Sequence, residues 1–165
     1  MRIMKLFELF ANLFAPKANK LKVKVKRHKD YPDAPLPIKG TPYAAGADLT
    51  CVDIEYDEAL DVWTLHSGLC FEIPEGHVGL LFPRSSIYKT GEYLTNCIGV
   101  IDSDYRGEVT AKMRYDVVEE ATKPYEIGDR FVQMIILPYP IVEYMFAEEL
   151  SETERGIGGY GSTGK

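Results

Sequence analysis

Short alternating apolar runs, separated by turn residues, constrain the fold of this chain of 165 residues more than any other feature. Apolar and polar side chains alternate in residues 21–28 (LKVKVKRH) and 108–117 (EVTAKMRYDV), as in strands with one buried face. Clusters of Gly, Pro and Asp separate these runs from other short apolar segments. Residues 21–150 therefore predict an all-β barrel or sandwich. Residues 56–68 (YDEALDVWTLHSG) are compatible with either a loop or a short hairpin.

The N-terminus has a different pattern, which predicts a short amphipathic helix and linker over residues 1–20. Glu8 and Asn12 interrupt its apolar stretch and Pro16 ends it, so a signal peptide is disfavoured. A helix packing on the body or on a partner is favoured over a weak membrane contact. The helical spacing of i, i+3 and i+4 is carried by Ile3, Leu6, Phe7, Phe10, Leu13 and Phe14.

Charge and cysteine content exclude several classes of function. Residues 1–30 hold nine Lys or Arg against two acidic residues, yet the net charge is −6, so the body is acidic. An acidic body argues against stable nucleic-acid binding, which requires neutralisation of phosphates. The three cysteines are odd in number and form no CxxC pair, as expected in a reducing compartment. We therefore expect a cytoplasmic protein, or one of the host cytoplasm if the gene belongs to a phage.

Five polar patches do not follow the strand pattern. Arg84 comes before two serines at a candidate helix start, where free N–H groups suit an anion, although an N-cap also explains the serines. Asp102 follows an apolar residue, where a partly desolvated carboxylate could act as a base, although an acidic turn is the alternative. The patches are AAGADL (44–49), FPRSS (82–86), NCIGVIDSDYRGE (96–108), GDRFVQ (128–133) and RGIGGYGSTGK (155–165).

The spacing within two of these patches makes structural predictions. Glycines on both sides of the apolar run in residues 96–108 predict a hairpin that presents its backbone to a ligand. Arg130 and Gln133 are three apart and would face opposite sides of a regular strand, so a common site requires a strand end or a bend. The glycine-rich residues 151–165 predict a flexible C-terminal arm.

Together the patches suit a nucleoside triphosphate, since they supply arginines and serines for phosphate, aromatic rings for sugar or base, and carboxylates for catalysis. No GxxxxGK[ST] segment occurs, which excludes a P-loop. None of the three histidines has an evident catalytic neighbour, which argues against a Ser/His/Asp hydrolase.

In their order along the chain and in their amino-acid sequences, the five patches resemble the motifs of the trimeric dUTPase family, and the resemblance covers residues 21–164. The resemblance implies a jelly-roll-like β-barrel over residues 21–150 and a homotrimer with three sites at the subunit boundaries. One subunit would supply the first, second and fourth motifs, another the third, and the last its C-terminal arm. Two departures are Tyr160, where the family more often has phenylalanine, and the rewritten residues 56–68.

The resemblance also implies roles for individual residues. Asp102 would deprotonate the attacking water, Tyr105 would pack on the deoxyribose and exclude a 2′-hydroxyl, and Asp48 would contact water bound to Mg²⁺. The magnesium ion itself would be held mainly by substrate phosphates. Uracil would be read by Asn96, Gly99 and Ile101. Phosphates would be gripped by Arg84, Ser85, Ser86 and Gln133. The arm would close through Arg155, Gly161, Ser162 and Thr163, with Tyr160 stacked on the base.

The implied reaction is hydrolysis of dUTP to dUMP and pyrophosphate, which limits uracil in DNA and supplies dUMP for dTMP synthesis. One alternative is a dCTP deaminase, or a bifunctional deaminase–dUTPase, of the same fold. Asp102 and residues 155–164 argue against it. The other is a dUTPase-like regulatory binding protein, which the predicted N-terminal helix motivates.

Overall fold

The computed structural model describes residues 20–116 and 124–159. The predicted N-terminal helix and the arm residues Tyr160, Gly161, Ser162 and Thr163 lie outside this range. Within the described ranges the chain forms nine β-strands and one short 3₁₀ helix, Ile87–Lys89. No helix in these ranges has the length and apolar character needed to cross a membrane. The all-β prediction is confirmed.

The strands form two antiparallel sheets. In the first sheet β4 and β8 are central, β1 and β3 both pair with β4, and β6 pairs with β8. Its strands are β1 (Lys24–Arg27), β3 (Asp53–Asp57), β4 (Val62–Glu72), β6 (Glu92–Leu94) and β8 (Glu108–Tyr115). The second sheet has the order β2-β9-β5-β7. Its strands are β2 (Ala47–Thr50), β5 (His77–Pro83), β7 (Gly99–Ile101) and β9 (Arg130–Pro138).

The core lies between the two sheets, because the period-two alternation turns one face of each strand inward. These inward side chains are the apolar members of the alternating runs, and each contributes roughly 1.5–3 kcal/mol by burial. The first sheet supplies Leu65, Leu69, Val109 and Met113, and the second supplies Leu49, Leu81, Phe131 and Val132, all at most 2% exposed.

Residues 56–68, for which the sequence was compatible with either a loop or a hairpin, belong to a hairpin of β3 and β4. The two strands pair from Asp53↔His66 to Asp57↔Val62. The Asp57 carboxylate accepts two backbone N–H groups of the connecting turn. Trp63 packs on Tyr56 with ring centroids 4.5 Å apart. The hairpin extends the first sheet on the side away from β8, so it leaves the second sheet, which carries the candidate site, unaltered.

Candidate active site

A β-bulge at the start of β9 brings the fourth motif together. Leu49 pairs with Val132, whereas the next residue, Thr50, pairs with Arg130, so β9 has one extra residue, Phe131. Both Phe131 and Val132 are consequently buried. The bulge places Arg130 on the same face as Gln133. The sequence predicted that Arg130 and Gln133 could share a site only at a strand end or a bend, and the bulge provides that bend.

Asp48 is the centre of a cluster that we call the guanidinium cluster, made of Asp48, Arg84 and Arg130. Its Oδ2 atom lies 3.0 Å from Arg84 Nε and 3.2 Å from Arg130 Nη1. Arg84 Nη1 also donates to the backbone oxygen of Arg130 at 2.8 Å. The Asp48 side chain is 15% exposed, while those of Arg84 and Arg130 are 23% and 43% exposed. The carboxylate therefore fixes two cations that still face solvent and can receive an anion.

Gln133 joins this cluster to the second motif. Its Cα pairs with that of Asp48, and its side-chain Nε2 donates to the backbone oxygen of Pro83 at 3.0 Å. A Cβ atom added to Gly46 would lie 2.6 Å from Gln133 Oε1. A side chain at this position of the first motif would therefore displace the glutamine amide, which occupies the space beside Gly46.

The serines of the second motif are arranged differently from the prediction. Ser85 is exposed, and Ser86 comes just before a 3₁₀ helix of three residues without capping it through its side chain. An anion here would rely on arginine side chains rather than on the dipole of a regular helix. A groove of about 300 Å³ opens beside them, lined by Arg84, Ser86, Lys89, Tyr125, Arg130 and neighbours.

The floor of this groove continues into a buried polar contact. The backbone N–H of Tyr125 donates to Glu92 Oε2 at 2.9 Å. Burial is the main cause that raises the pKa of the Glu92 carboxyl, and the negative charge of Asp129 adds to it. Burial also raises the pKa of the Tyr125 phenol. Both groups are thus stabilised in their neutral forms.

The third motif forms a turn between the two sheets, so the predicted hairpin is wrong in its pairing. β7 pairs with β5, whereas β8 pairs with β4 and β6. The two arms diverge because the chain leaves one sheet at Ile101 and enters the other at Glu108. Asp102 lies at the start of this turn and is exposed in the single chain, where the sequence predicted partial desolvation.

Tyr105 is held in this turn by three local contacts. Its backbone N–H donates to the oxygen of Asp102 at 3.2 Å, and its hydroxyl donates to the oxygen of Glu108 at 3.0 Å. Its ring covers Gly107, where an added Cβ would lie 2.6 Å from the ring carbon Cζ. The ring is 44% exposed, so one face is available to a ligand.

The uracil-reading residues predicted from the sequence lie beside this turn. Gly99 is buried, and an added Cβ would lie 3.0 Å from the Cβ of Leu81 and 3.8 Å from Asn96 Nδ2. Asn96 is exposed, and Ile101 is partly buried against the core. The backbone of β7 therefore sits close to β5 with the Asn96 amide next to it.

The guanidinium cluster and the third-motif turn lie at opposite ends of β5. Gly79 pairs with Ile101 next to Asp102, whereas Pro83 precedes Arg84. Gly79 and Arg84 are five residue steps apart along extended chain, about 17 Å at the usual rise per residue. One chain therefore brings the first, second and fourth motifs together but holds the Asp102 end of the third motif apart from them.

The described part of the C-terminal arm, residues 151–159, and the segment before it are separate from both of these groups in the single chain. Residues 139–157 are exposed throughout. Arg155 Nε donates to the oxygen of Gly158 at 2.8 Å, closing a local turn with Gly156 at a φ of 49°. Arg155 is thus not brought to either of the two other groups in the single chain.

Sequence reasoning left one member of the site without a role, Arg130. The GDRFVQ patch contains it, but spacing alone does not reveal which side of the strand it faces. The consecutive apolar residues Phe131 and Val132 were the available signal, because two adjacent side chains that are buried on the same face of a strand indicate a bulge.

Two antiparallel sheets with a paired-arginine groove at one end of a strand define a β-sandwich protein with a site suited to an anion such as phosphate. The sequence model of the dUTPase family matches residues 32–164. The deoxyuridine 5'-triphosphate nucleotidohydrolase of Desulfitobacterium hafniense is 41% identical over 152 residues, covering 88% of this chain and 98% of the relative. The chain belongs to the dUTPase family.

Solved structures show the same fold. The Staphylococcus bacteriophage 80alpha dUTPase, solved with dUPNHPP, is 26% identical with a TM-score of 0.71, covering 87% of this chain and 99% of that one. A mutant dUTPase from phage phi11 of S. aureus, described with a structural Mg(II) ion, is 21% identical with a TM-score of 0.63. It covers 78% of this chain and 97% of that one, and supports the fold alone.

Proposed function

We infer that the protein hydrolyses dUTP to dUMP and pyrophosphate, and so limits uracil incorporation into DNA and supplies dUMP for dTMP synthesis. The observation that carries this inference is the pair of complementary half-sites in a chain of the dUTPase family. One end of β5 presents two arginines fixed by Asp48, and the other lies beside the turn that carries the exposed carboxylate of Asp102.

The guanidinium cluster is proposed to bind the triphosphate. Arg84 and Arg130 are held in place by Asp48, so little side-chain entropy is lost when phosphate binds. The Gln133 amide and the hydroxyls of Ser85 and Ser86 would add neutral donors. Neutral donors orient the chain of phosphates without attracting competing carboxylates.

The third-motif turn is proposed to read the nucleoside. The exposed Asn96 amide and the backbone of the edge strand β7 at Gly99 and Ile101 would offer donors and acceptors to a base edge. This edge is proposed to be too narrow for the methyl group of thymine. Tyr105, pinned at its hydroxyl, presents a fixed ring face to the sugar and leaves no room for a 2′-hydroxyl.

Asp102 is proposed to act as the general base. Its carboxylate takes a proton from water, and the oxygen of that water attacks the α-phosphorus in line with the departing pyrophosphate. The bond between the α-phosphorus and the bridging oxygen breaks as the new bond forms. The exposure of Asp102 in the single chain implies that another element covers it when the substrate is bound.

Magnesium is proposed as a substrate-bound ion. Among residues 20–116 and 124–159, no cluster of three or more His, Cys, Asp or Glu residues could hold a metal. The donor set therefore fits an ion that brings phosphate oxygens and water with it and touches Asp48 only through water. When bound, such an ion neutralises charge on the phosphates and orients them.

The active assembly is proposed to be a homotrimer with shared sites. The separation of the two half-sites along β5 requires another subunit to bring a third motif to a guanidinium cluster. Residues 139–150, between β9 and the arm, support this, because they expose large apolar side chains to solvent, an arrangement expected of an interface. Examples are Ile141, Tyr144, Met145, Phe146 and Leu150, exposed by 82–111%.

The end of the arm is proposed to close over the bound nucleotide. Arg155 would pair with the terminal phosphates, with Gly161, Ser162 and Thr163 donating to them and Tyr160 stacking on the base. Closure excludes bulk water and leaves the nucleophile. We also propose a cytoplasmic location and no stable nucleic-acid partner, in keeping with three free cysteines and an acidic body.

Pyrophosphate release from dUTP, dTTP, dCTP and UTP, with and without Mg²⁺, tests this function. We expect turnover of dUTP alone, and Asp102→Asn should lower kcat by roughly 10²–10⁴-fold while dUTP binding persists. Asp104→Asn, in the same turn, is the matched control and should retain turnover. Ammonia release from dCTP would favour the deaminase, and equal turnover by Asp102→Asn would refute the assignment of the base.

A further inference from the structure

The strand β4 contains a bulge directly opposite the start of β8. His66 pairs with Thr110 and Cys70 pairs with Glu108, so β4 has two more residues than β8 between these pairs. Gly68, in the middle, has a φ of 66°, and an added Cβ would lie 2.6 Å from the Cβ of Ala34. The ladder between the strands is therefore interrupted here, and the N–H groups of the bulge need other acceptors.

The carboxylate of Glu108 supplies an acceptor for this bulge. Its Oε1 accepts the backbone N–H of Gly68 at 2.7 Å, and its Oε2 lies 2.9 Å from Nδ1 of His66. The Glu108 side chain is 11% exposed and that of His66 is 13% exposed. A charge-assisted contact sheltered from water is stronger and more rigid than an exposed one.

The His66 ring is itself fixed on its other sides. The ring of Tyr31 lies 5.6 Å from it, and the Tyr31 hydroxyl donates to Asp53 Oδ2 at 3.0 Å. On the open side, Nε2 of His66 lies 3.6 Å from Glu55 Oε2. Glu108 is therefore clamped between the β4 bulge and a ring that has little freedom to move.

The main chain of the same residue holds Tyr105. The Glu108 backbone oxygen accepts the Tyr105 hydroxyl at 3.0 Å, and the Tyr105 backbone N–H donates to the oxygen of Asp102. Only Arg106 and Gly107 separate Tyr105 from Glu108, and Gly107 lies beneath the tyrosine ring. Any shift of Glu108 along β8 would thus move the tyrosine hydroxyl and, through the turn, Asp102.

We propose that Glu108, clamped by His66 and the Gly68 N–H, is a positioning residue that holds Tyr105 against the sugar of the substrate. The proposal rests on the proposed function. It attributes the selectivity for deoxyribose to the contacts of Glu108 with His66 and Gly68, which lie on the face of the first sheet that points away from the core. Glu108 does not contact the substrate in this arrangement and acts through Tyr105.

Steady-state kinetics with dUTP and UTP provide the first test. Glu108→Ala should lower kcat/KM for dUTP by roughly 10-fold to 100-fold, the effect of misplacing a substrate contact by about 1 Å. The loss for UTP should be smaller, so that the preference for dUTP decreases. Glu108→Gln should restore kcat/KM to within about threefold, because an amide oxygen still accepts the Gly68 N–H and its nitrogen can donate to His66.

The matched control is Lys112→Ala. Lys112 lies on β8 as Glu108 does, and its ammonium donates to the Thr64 hydroxyl of β4 at 3.0 Å on the exposed face of the sheet. It is four residues further along the strand, about 13 Å from Glu108 at the usual rise per residue. Its removal should leave both kcat/KM and the nucleotide preference unchanged. Thermal unfolding of each variant sets an assay temperature at which all of them are folded.

A double-mutant cycle separates positioning from a general structural role. In a Tyr105→Ala background, Glu108→Ala should change kcat/KM by less than about twofold, since residues that act through one another are not additive. Multiplicative losses, or wild-type kcat/KM and preference in Glu108→Ala, would overturn the proposal.

A crystal structure of Glu108→Ala gives a readout that does not depend on turnover. The distance from the Tyr105 hydroxyl to the backbone oxygen of residue 108 should increase beyond about 3.5 Å, the limit of a hydrogen bond. An unchanged distance would refute the clamp. If the wild-type protein failed to hydrolyse dUTP, the proposed function would fall, and this distance would still decide the positioning role.

Discussion

Replacement of Gly46 by alanine tests whether the Gln133 amide is placed for the substrate. The added Cβ would lie 2.6 Å from Gln133 Oε1 and 3.3 Å from its Cβ. Ordinary contacts between non-bonded atoms lie near about 3.5 Å, so the amide has to move by about 1 Å. The amide is the end of a flexible side chain, which makes the movement feasible without a change of the backbone.

Two effects of different size follow from this movement. Loss of the hydrogen bond from Gln133 Nε2 to the Pro83 oxygen removes about 1 kcal/mol of net stability. For a chain of this length that lowers Tm by roughly 2–4 °C. Misplacement of a phosphate donor by about 1 Å lowers kcat/KM for dUTP by as much as ~100-fold. Catalysis should therefore suffer far more than stability.

Pyrophosphate release and thermal unfolding measure the two effects side by side. Gly40→Ala is the matched control, because nothing lies within 4 Å of its added Cβ. Gln133→Ala should reproduce the kinetic loss, and combining it with Gly46→Ala should add little. Wild-type kcat/KM in Gly46→Ala would refute a role for the Gln133 amide in substrate binding, whatever the change in Tm.

Two further predictions concern the assembly and the pH dependence of stability. Asp102→Asn and Arg84→Ala chains can be unfolded, mixed in equal amounts and refolded together. About a quarter of wild-type turnover should return, because each shared site needs an intact Asp102 from one chain and an intact Arg84 from another, and each is present half of the time. Activity no higher than that of the separate variants would exclude shared sites. Burial raises the pKa of Glu92 above its usual value of 4.5, so the folded state disfavours the charged carboxylate. The free energy of unfolding of the wild-type protein should therefore fall, relative to that of Glu92→Gln, as the pH rises from about 4.5 through the raised pKa. Glutamine keeps the acceptor for the Tyr125 N–H, and denaturant unfolding between about pH 4 and pH 8 measures the difference; parallel stability curves for the two proteins would contradict the prediction.

The strands were predictable from the sequence because period-two alternation reflects one buried face, which is a local property. The pairing of β7 was not. Its three residues, Gly99–Ile101, carry too little pattern to distinguish a hairpin partner from β5, and that choice depends on how the two sheets pack. The extended conformation of β7 was therefore predicted correctly, whereas its pairing with β5 was not.

The site residues divide in the same way. Asp48, Arg84 and Gln133 were assigned from their motifs, and the structure brings them together. Their contacts with Arg130 depend on a one-residue bulge that alternation alone does not reveal. The contribution of His66 was also hidden, because its link to Glu108 spans 42 residues and depends on a second bulge.

In the proposed trimer, the position of the two half-sites would couple activity to assembly. A general base must lie within about 3 Å of the water that it activates, yet Asp102 and Arg84 of one chain are at opposite ends of β5. No rearrangement of side chains spans that strand, since its residues pair with β9 and β7 on both sides. In that trimer, a substitution among the exposed apolar residues 139–150 could therefore abolish turnover while each chain keeps its fold.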